Sequence, residues 1–165
     1  MTTPIRDDPF AVLEDARIAT VLRRLHGEAN RQHLSIIRHF LPHVLSYVRR
    51  RFIPFAESEM AGFYADKYIA IIEAQGAFAY LTARALRART VVEFGTSFGL
   101  STLWLAAAVR ANGGGRVVTT EIVPDKARIA RRNFEEAGLA DLIDVREGDA
   151  LASLATDPAD IDLVL

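Results

Sequence analysis

The chain has 165 residues, half of them hydrophobic, and its 20 basic and 21 acidic side chains give a formal net charge of -1. This length predicts a single domain, and the balanced charge gives no reason to expect a nucleic acid as the main partner. The absence of cysteine excludes disulfides and thiolate metal sites. Because we find no basic-then-apolar leader and no apolar run of about 18 residues, we expect a soluble cytoplasmic protein without membrane contact.

The residues before position 89 are predicted to be mostly helical. Gly27 is the expected end of a helix that starts at Pro9 and carries an apolar stripe of Ile18, Val21, Leu22 and Leu25. A second stripe runs from Ile37 to Val48, and Pro42 within it predicts a kink or a break between two helices.

Two further helices are predicted before the first strand. One spans Glu57 to Ala74, and Gln75-Gly76 is expected to interrupt it. The other spans Ala77 to Ala88 and uses Phe78, Leu81 and Leu86 as its apolar side. We therefore predict a helical N-terminal extension or cap over residues 1–56 and a binding domain over residues 57–165.

From position 90 the pattern changes to alternating strands and helices. The predicted elements are a strand that begins near Val91, a helix from Ser101 to Ala111, a strand from Arg116 to Thr120, a helix from Pro124 to near Gly138, a strand from Leu142 to Val145, a short helical stretch, and a fourth strand that begins at Ile161. This order predicts an α/β fold with a Rossmann-like, doubly wound parallel sheet, of which the chain contains the first four strands.

Three features follow three successive strands of this predicted sheet. They are the turn from Glu93 to Ser101, the carboxylate of Glu121, and the loop Gly148-Asp149-Ala150. In an open α/β sheet, ligands bind at the carboxyl ends of the strands. Each feature also has a simple alternative: turn glycines, a helix cap at Glu121, and an Asx turn at Asp149. Their occurrence together favours a nucleotide-type site.

The residue types indicate which ligand this site would hold. Gly95 allows a sharp turn without a side chain against the ligand, and Gly99 allows close packing or a positive φ. Glu121 can accept both hydroxyls of a ribose, and Asp149 can accept from an exocyclic amine. Ser97 stands where a dinucleotide fingerprint has its second glycine, and Glu93 would repel a pyrophosphate. The carboxylate of Glu93 favours a cationic ligand group, which points to S-adenosylmethionine rather than NAD.

Three runs of sequence resemble the S-adenosylmethionine-dependent O-methyltransferases of the catechol and caffeoyl-CoA type. They are VVEFGTSFGLST, VVTTEIVPDKARIARRNFEEAGL and VREGDA. The resemblance implies that Gly95 and Ser97 contact the methionine portion, Ser101 its carboxylate, Glu93 its amino group, Glu121 the ribose, and Asp149 and Ala150 the adenine. The predicted cofactor-binding set is Glu93, Gly95, Thr96, Ser97, Ser101, Glu121, Ile122, Gly148, Asp149 and Ala150.

The resemblance further implies methyl transfer to a hydroxyl of a small-molecule acceptor. In the family, the catalytic base and the aspartates that bind a divalent cation such as Mg²⁺ follow the fourth strand, so we expect these residues beyond Leu165 in a longer parent protein. We predict no metal ligand within the chain, and Asp162 does not match the family's metal-binding aspartate. Phe98 departs from the smaller residue of some relatives and is expected to narrow the pocket or shift the packing of the loop.

Three alternatives stay open at this point. The chain could belong to an NAD-type oxidoreductase, or it could be a degenerate methyltransferase fold that serves as a binding or dimerisation module without catalysis. The third alternative is an enzyme that transfers the methyl group to nitrogen or to a larger substrate. The resemblance also allows a homodimer.

Overall fold

The computed structural model describes residues 8–50, 62–64, 66–155 and 159–165. Four parallel strands form one sheet in the order β3-β2-β1-β4. The strands are β1 (Thr90–Phe94), β2 (Arg116–Glu121), β3 (Ile143–Glu147) and β4 (Leu163–Val164). The helices are α1 (Ala16–Arg50), α2 (Glu73–Ala85), α3 (Leu100–Ala111), α4 (Pro124–Ala137) and α5 (Ala150–Ser153), with 3₁₀ turns at Pro9–Val12 and Ala140–Leu142.

This topology confirms the predicted Rossmann-like fold. Val91, Val92 and Glu93 of β1 are buried, as are all residues of β2 after Arg116, which is the pattern of strands covered on both faces. The strand order reverses next to β1, because β2 and β3 lie on one side of it and β4 on the other. Such a switch point opens a crevice at the carboxyl end of the strands, so the turn after β1 lies where a ligand is expected.

Trp104 on α3 is the centre of the helical layer. Its ring is fully buried, stacks on Phe10 at 5.5 Å between centroids, and donates from Nε1 to Nε2 of His26 at 3.2 Å. On another side it contacts Gly76 of α2 so closely that a Cβ at that position would collide with the indole. Three N-terminal elements are therefore fixed around one aromatic ring.

The N-terminal helix is longer than predicted. Pro9 begins only a 3₁₀ turn, and α1 starts at Ala16 and continues through positions 27 and 42 to Arg50. The predicted end at Gly27 and the break into two helices at Pro42 are therefore wrong. The predicted stripe is buried beside α3 and α4, and packing of this kind outweighs the roughly 1 kcal/mol that one glycine costs a helix.

The region before β1 also differs from the prediction. Residues 62–64 are helical, residues 66–72 are not, and α2 begins at Glu73 and passes through Gln75 and Gly76 without interruption. Its buried side is Gly76, Ala77, Ala79, Tyr80 and Ala83. The predicted apolar side is instead exposed, at 72% for Phe78, 50% for Leu81 and 54% for Leu86. Small residues face inward because α2 approaches Trp104 closely.

The predicted domain boundary between residues 56 and 57 lies outside the described residues. Within the described ranges, no helix combines the length and the apolarity needed to cross a membrane.

The contact between Trp104 and His26 predicts a pH-dependent stability. Burial lowers the pKa of the His26 imidazole below its ordinary value, although Glu73 acts in the opposite direction. The folded chain therefore binds fewer protons than the unfolded chain, and the free energy of unfolding should fall as the pH drops below about 6.5. Urea denaturation from pH 8 to about pH 5 measures this loss.

The control for this prediction is His26→Gln, which keeps an acceptor for the indole N–H but does not titrate. Its stability should change less over the same interval than that of the wild type. Identical pH profiles of the two proteins would show that His26 does not cause the loss.

Candidate functional site

The turn after β1 has a strained backbone that the sequence accommodates mainly with glycine. The φ angle is +95° at Gly95, +48° at Ser97 and +91° at Gly99. Gly99 has a second constraint, because a Cβ there would collide with the Phe134 ring of α4. Thr96 is buried beneath the turn, where its N–H donates to the Thr120 carbonyl at 2.8 Å. The turn is thus tied to β2 and packed on α4.

Glu121 connects the predicted parts of the site. Its Oε2 accepts from the backbone N–H of Ser97 at 2.7 Å, and its Oε1 accepts from that of Val123 at 2.9 Å. Its carbonyl also accepts from the N–H of Gly148 at 2.9 Å. The residue is only 8% exposed. Its carboxylate therefore fixes the backbone just before α4, which has no side-chain cap, and at the same time orients the glycine turn.

Glu93 is buried, with only one of its carboxylate oxygens hydrogen-bonded. Oε2 accepts from the hydroxyls of Thr102 at 2.5 Å and Thr119 at 2.7 Å. Oε1 is buried and has no hydrogen-bond partner among the described residues. Burial raises the pKa of this carboxyl, and the nearby hydroxyls of Ser101, Thr102 and Thr119 oppose that shift. A buried acceptor without a partner is costly, so a donor from a ligand would stabilise this group.

Two adjoining cavities lie over the carboxyl ends of the strands. The larger, about 470 Å³, is bounded by Glu93, Ser97, Ser101 and Glu121. The smaller, about 160 Å³, is bounded by Gly148, Asp149 and Ala150, and both cavities share Phe94, Gly95, Glu121 and Ile122. Nine of the ten predicted cofactor-binding residues therefore line one continuous depression. The tenth, Thr96, lies below the turn instead.

Asp149 lies at the outer end of this depression. The side chain is exposed, and Oδ1 accepts from the N–H of Leu151 at 2.9 Å, so the residue caps α5. This is the local turn that the sequence also allowed. Ala150 beside it is buried, and the exposed Ile122 lies at the boundary of both cavities. Together these residues form a narrow, partly apolar slot.

Sequence reasoning missed the wall formed by residues 66–72, because that segment was predicted to be helical. Its Tyr68 hydroxyl donates to Glu28 Oε2 at 2.6 Å, and its ring lies 4.4 Å from that of Phe98. The N–H of Ile69 donates to the Ser97 hydroxyl at 3.3 Å. These contacts bring Ile69 and Ile71 into the wall of the larger cavity. The apolar, partly β-branched run from Tyr68 to Ile72 is the one sequence signal for an extended segment.

Lys126 is the second residue that was missed. It lies in the first turn of α4, is 3% exposed, and lines the larger cavity. Burial lowers the pKa of its ammonium, while Glu121 and Asp66 act in the opposite direction. A lysine in the first turn of a helix is ordinarily a surface residue, so no sequence signal indicated its position. Phe98, which was expected to narrow the pocket or shift the packing of the loop, packs between Tyr68 and this lysine.

Asp162 has a structural role. Its Oδ2 accepts from the N–H groups of Arg89 at 2.8 Å and Thr90 at 2.9 Å, and these bonds lower the pKa of its carboxyl. The residue thus joins the start of β4 to the start of β1, away from the carboxyl ends of the strands. The ranges that the structure describes contain no group of three or more His, Asp or Glu side chains arranged to hold a metal ion.

The contact between Tyr68 and Glu28 predicts that α1 stabilises the cavity wall. Tyr68→Phe removes one hydrogen bond to a carboxylate and should lower the free energy of unfolding by about 1.5–3 kcal/mol. It should also speed amide hydrogen exchange in residues 66–72, which is the direct measurement. The control is Tyr80→Phe, because that hydroxyl contacts Arg84 away from the site. If exchange in residues 66–72 were equally fast in both variants, α1 would not hold this wall.

The parallel sheet, the glycine turn and the acidic residue at the end of β2 define the Rossmann-like nucleotide-binding class of protein. Within that class, residues 92–165 match the model of a methyltransferase domain family. The chain is 48% identical over 88 residues to catechol O-methyltransferase from Mycobacterium tuberculosis, covering 53% of this chain and 39% of that protein. The catechol O-methyltransferase of Niastella koreensis is 37% identical over 83 residues, covering 50% and 37%.

Solved structures agree with these matches. An O-methyltransferase from Bacillus cereus in complex with S-adenosylhomocysteine (SAH) superposes with a TM-score of 0.57 at 34% identity, covering 72% of this chain and 57% of that one. The O-methyltransferase TomG from Streptomyces achromogenes, in complex with S-adenosylmethionine, gives a TM-score of 0.55 at 32% identity, covering 72% and 56%. The resemblance to the O-methyltransferase family is confirmed. The chain spans about two fifths of the length of the two catechol O-methyltransferases.

Proposed function

We propose that the chain forms the cofactor-binding part of an S-adenosylmethionine-dependent methyltransferase that transfers a methyl group to a hydroxyl of a small molecule. The observation that carries this proposal is the buried Oε1 of Glu93, a residue that lines the larger cavity and whose Oε1 has no hydrogen-bond partner among the described residues. An ammonium would supply the missing donor and the opposite charge. A pyrophosphate at the same place would be repelled by this carboxylate.

The two cavities suggest how the cofactor would be held. Its methionine portion would occupy the larger cavity, between Glu93 and Ser101, and its ribose would lie at Glu121. Its adenine would enter the smaller cavity, where Ile122 offers an apolar surface and the Ala150 N–H offers a donor. Each carboxylate oxygen has two lone pairs, so Glu121 can keep its backbone contacts and still accept from two ribose hydroxyls.

The bound cofactor would supply a methyl group on a positively charged sulfur. The chain's own residues would contribute positioning, because in-line displacement depends strongly on the alignment of the reacting atoms. Glu93 and Glu121 would fix the two ends of the donor while the wall of residues 66–72 excludes water from one side. The residues of this chain would therefore promote methyl transfer by orienting the methyl donor, and other groups would activate the acceptor.

The alternatives are less well supported. An NAD-type oxidoreductase would have to place a pyrophosphate against the Glu93 turn, and the relatives described above are methyltransferases. A non-catalytic binding module would keep the same cofactor site, so methyl transfer by the parent protein separates it from an enzyme. A cytoplasmic location stays an expectation from the sequence. A homodimer is an inference from the exposed apolar side of α2, which light scattering in solution would test.

Ligand-dependent thermal stability tests the proposal. SAH should raise the unfolding temperature at concentrations well above its dissociation constant, because it binds only the folded chain. NAD⁺ and an SAH analogue without the amino group should have little effect. Equal stabilisation by SAH and the deaminated analogue would contradict the role of Glu93. Stabilisation by NAD⁺ alone would contradict the proposed function.

A further inference from the structure

Lys126 is an unusual residue to find inside the larger cavity. It is only 3% exposed, and among the described residues its ammonium has no hydrogen bond and no ion pair within 4.0 Å. The ring of Phe98, 5.5 Å from Nζ to the centroid, offers a cation–π contact. Such a contact compensates only part of the cost of burying an ammonium. The ammonium of Lys126 therefore has N–H donors available to a ligand.

The charged groups around Lys126 indicate what that ligand group is. Glu121 lines the same cavity and Asp66 also acts on the ammonium, but Asp66 forms its own ion pair with Lys67. Within the described part of the chain no ion pair joins Lys126 to Glu121, so a space separates the fixed carboxylate from the ammonium in the cavity that both residues line. An anionic group in that space would be repelled by Glu121. A neutral hydroxyl suits it, because its hydrogen can go to the carboxylate while its oxygen accepts from the ammonium.

We propose that Lys126 is a further cofactor-binding residue, which donates a hydrogen bond to the oxygen of a ribose hydroxyl whose hydrogen is accepted by Glu121. This inference rests on the proposed function, and it adds a residue that would fix the ribose from the side opposite the carboxylate. Lys126 on α4 would then act as the hydrogen-bond donor to the ribose diol, and Glu121 on β2 as the acceptor. An adenosine ligand without that hydroxyl would lose both contacts at once.

The test combines variants of the chain with changes in the ligand. Wild type, Lys126→Met and the control Arg128→Met are titrated by calorimetry with SAH and with its 2′-deoxy and 3′-deoxy analogues. Arg128 lies on the same helix but is exposed and pairs with Asp125, so its loss removes the same charge without touching the cavity. Lys126→Met should weaken SAH binding about tenfold or more, and Arg128→Met should leave it unchanged.

The deoxy analogues separate a ribose contact from a general effect of charge. For at least one of them, wild type and Lys126→Met should bind with similar affinity, because the contact is already lost from the ligand. If Lys126→Met weakened SAH and both analogues by the same factor, or left SAH binding unchanged, the inference would be wrong while the proposed function stands. Failure of the wild type to bind SAH would overturn the proposed function itself.

A folding control accompanies these titrations. Circular dichroism should show that Lys126→Met keeps the secondary structure of the wild type. Should the apolar side chain prevent folding, Lys126→Gln keeps an N–H donor without the charge. It should then bind SAH more weakly than the wild type and keep only part of the wild-type discrimination between SAH and the sensitive deoxy analogue; unchanged affinity and discrimination would contradict the inference. Equal affinity of the wild type for SAH and both analogues would overturn the inference without any variant.

Discussion

Glu121→Ala is expected to abolish most of the affinity for SAH, with a loss of about 100-fold. Two effects combine in this variant. The ribose loses a charged acceptor, which is worth about 1.5–3 kcal/mol. In addition, the N–H groups of Ser97 and Val123 lose their shared carboxylate, so the glycine turn is no longer held in its binding geometry. Calorimetric titration of the purified chain with SAH measures the change.

The matched control is Glu147→Ala. Glu147 lies in register with Glu121 on the neighbouring strand, but its side chain is exposed and pairs with Arg131. Loss of an acidic residue from the same edge of the sheet should therefore leave SAH binding nearly unchanged. If both variants weakened binding equally, the effect of Glu121 would come from net charge and not from its contacts.

Gly99→Ala is expected to destabilise the fold strongly for the addition of a single methyl group, by about 2–5 kcal/mol in the free energy of unfolding. The φ of +91° disfavours any residue with a Cβ by about 1–2 kcal/mol. The added methyl would also collide with the Phe134 ring, and overpacking of this kind costs about 1–3 kcal/mol more. Urea denaturation of the variant and the wild type gives the difference.

Gly113→Ala isolates the backbone part of this effect. Gly113 has a φ of +95°, but a Cβ there would have open space around it. The free energy of unfolding of Gly113→Ala should therefore fall by only about 1–2 kcal/mol. Adding Phe134→Leu to each variant should recover part of the loss in Gly99→Ala and none in Gly113→Ala. Equal losses in the two glycine variants would show that contact with Phe134 is not a constraint on the turn.

The strands and the positions of the candidate site residues next to them could be predicted because their signals are local. β-branched runs, the glycines of the turn and the acidic residue after β2 are each determined by a few neighbouring positions. Because the strands are parallel, their carboxyl ends bring the three features to one edge of the sheet. This is why Glu93, Glu121 and Gly148 could all be placed at one edge of the sheet from the sequence.

The helices before β1 were harder to predict because their burial depends on distant partners. Phe78 and Leu81 are residues typical of a core face, but only the side of α2 that carries small residues can pack against Trp104 of α3. Gly27 ends many helices, yet here α1 continues because its stripe packs on α3 and α4. No local pattern contains this information.

The two residues that sequence reasoning missed have the same explanation. Tyr68 is placed by a hydrogen bond to Glu28, 40 positions earlier. Lys126 packs on the ring of Phe98, 28 positions earlier, and lines the cavity. Contacts of such long range require the fold to be known.

The binding mode of SAH is tested most directly by a crystal structure of the chain with this ligand. We predict that the amino group of SAH lies within hydrogen-bond distance of Glu93 Oε1 and that its ribose hydroxyls lie on Glu121. The adenine should occupy the smaller cavity beside Ala150. A structure in which SAH binds elsewhere, or in which its ribose does not contact Glu121, would contradict the assignment of the two cavities as one cofactor site.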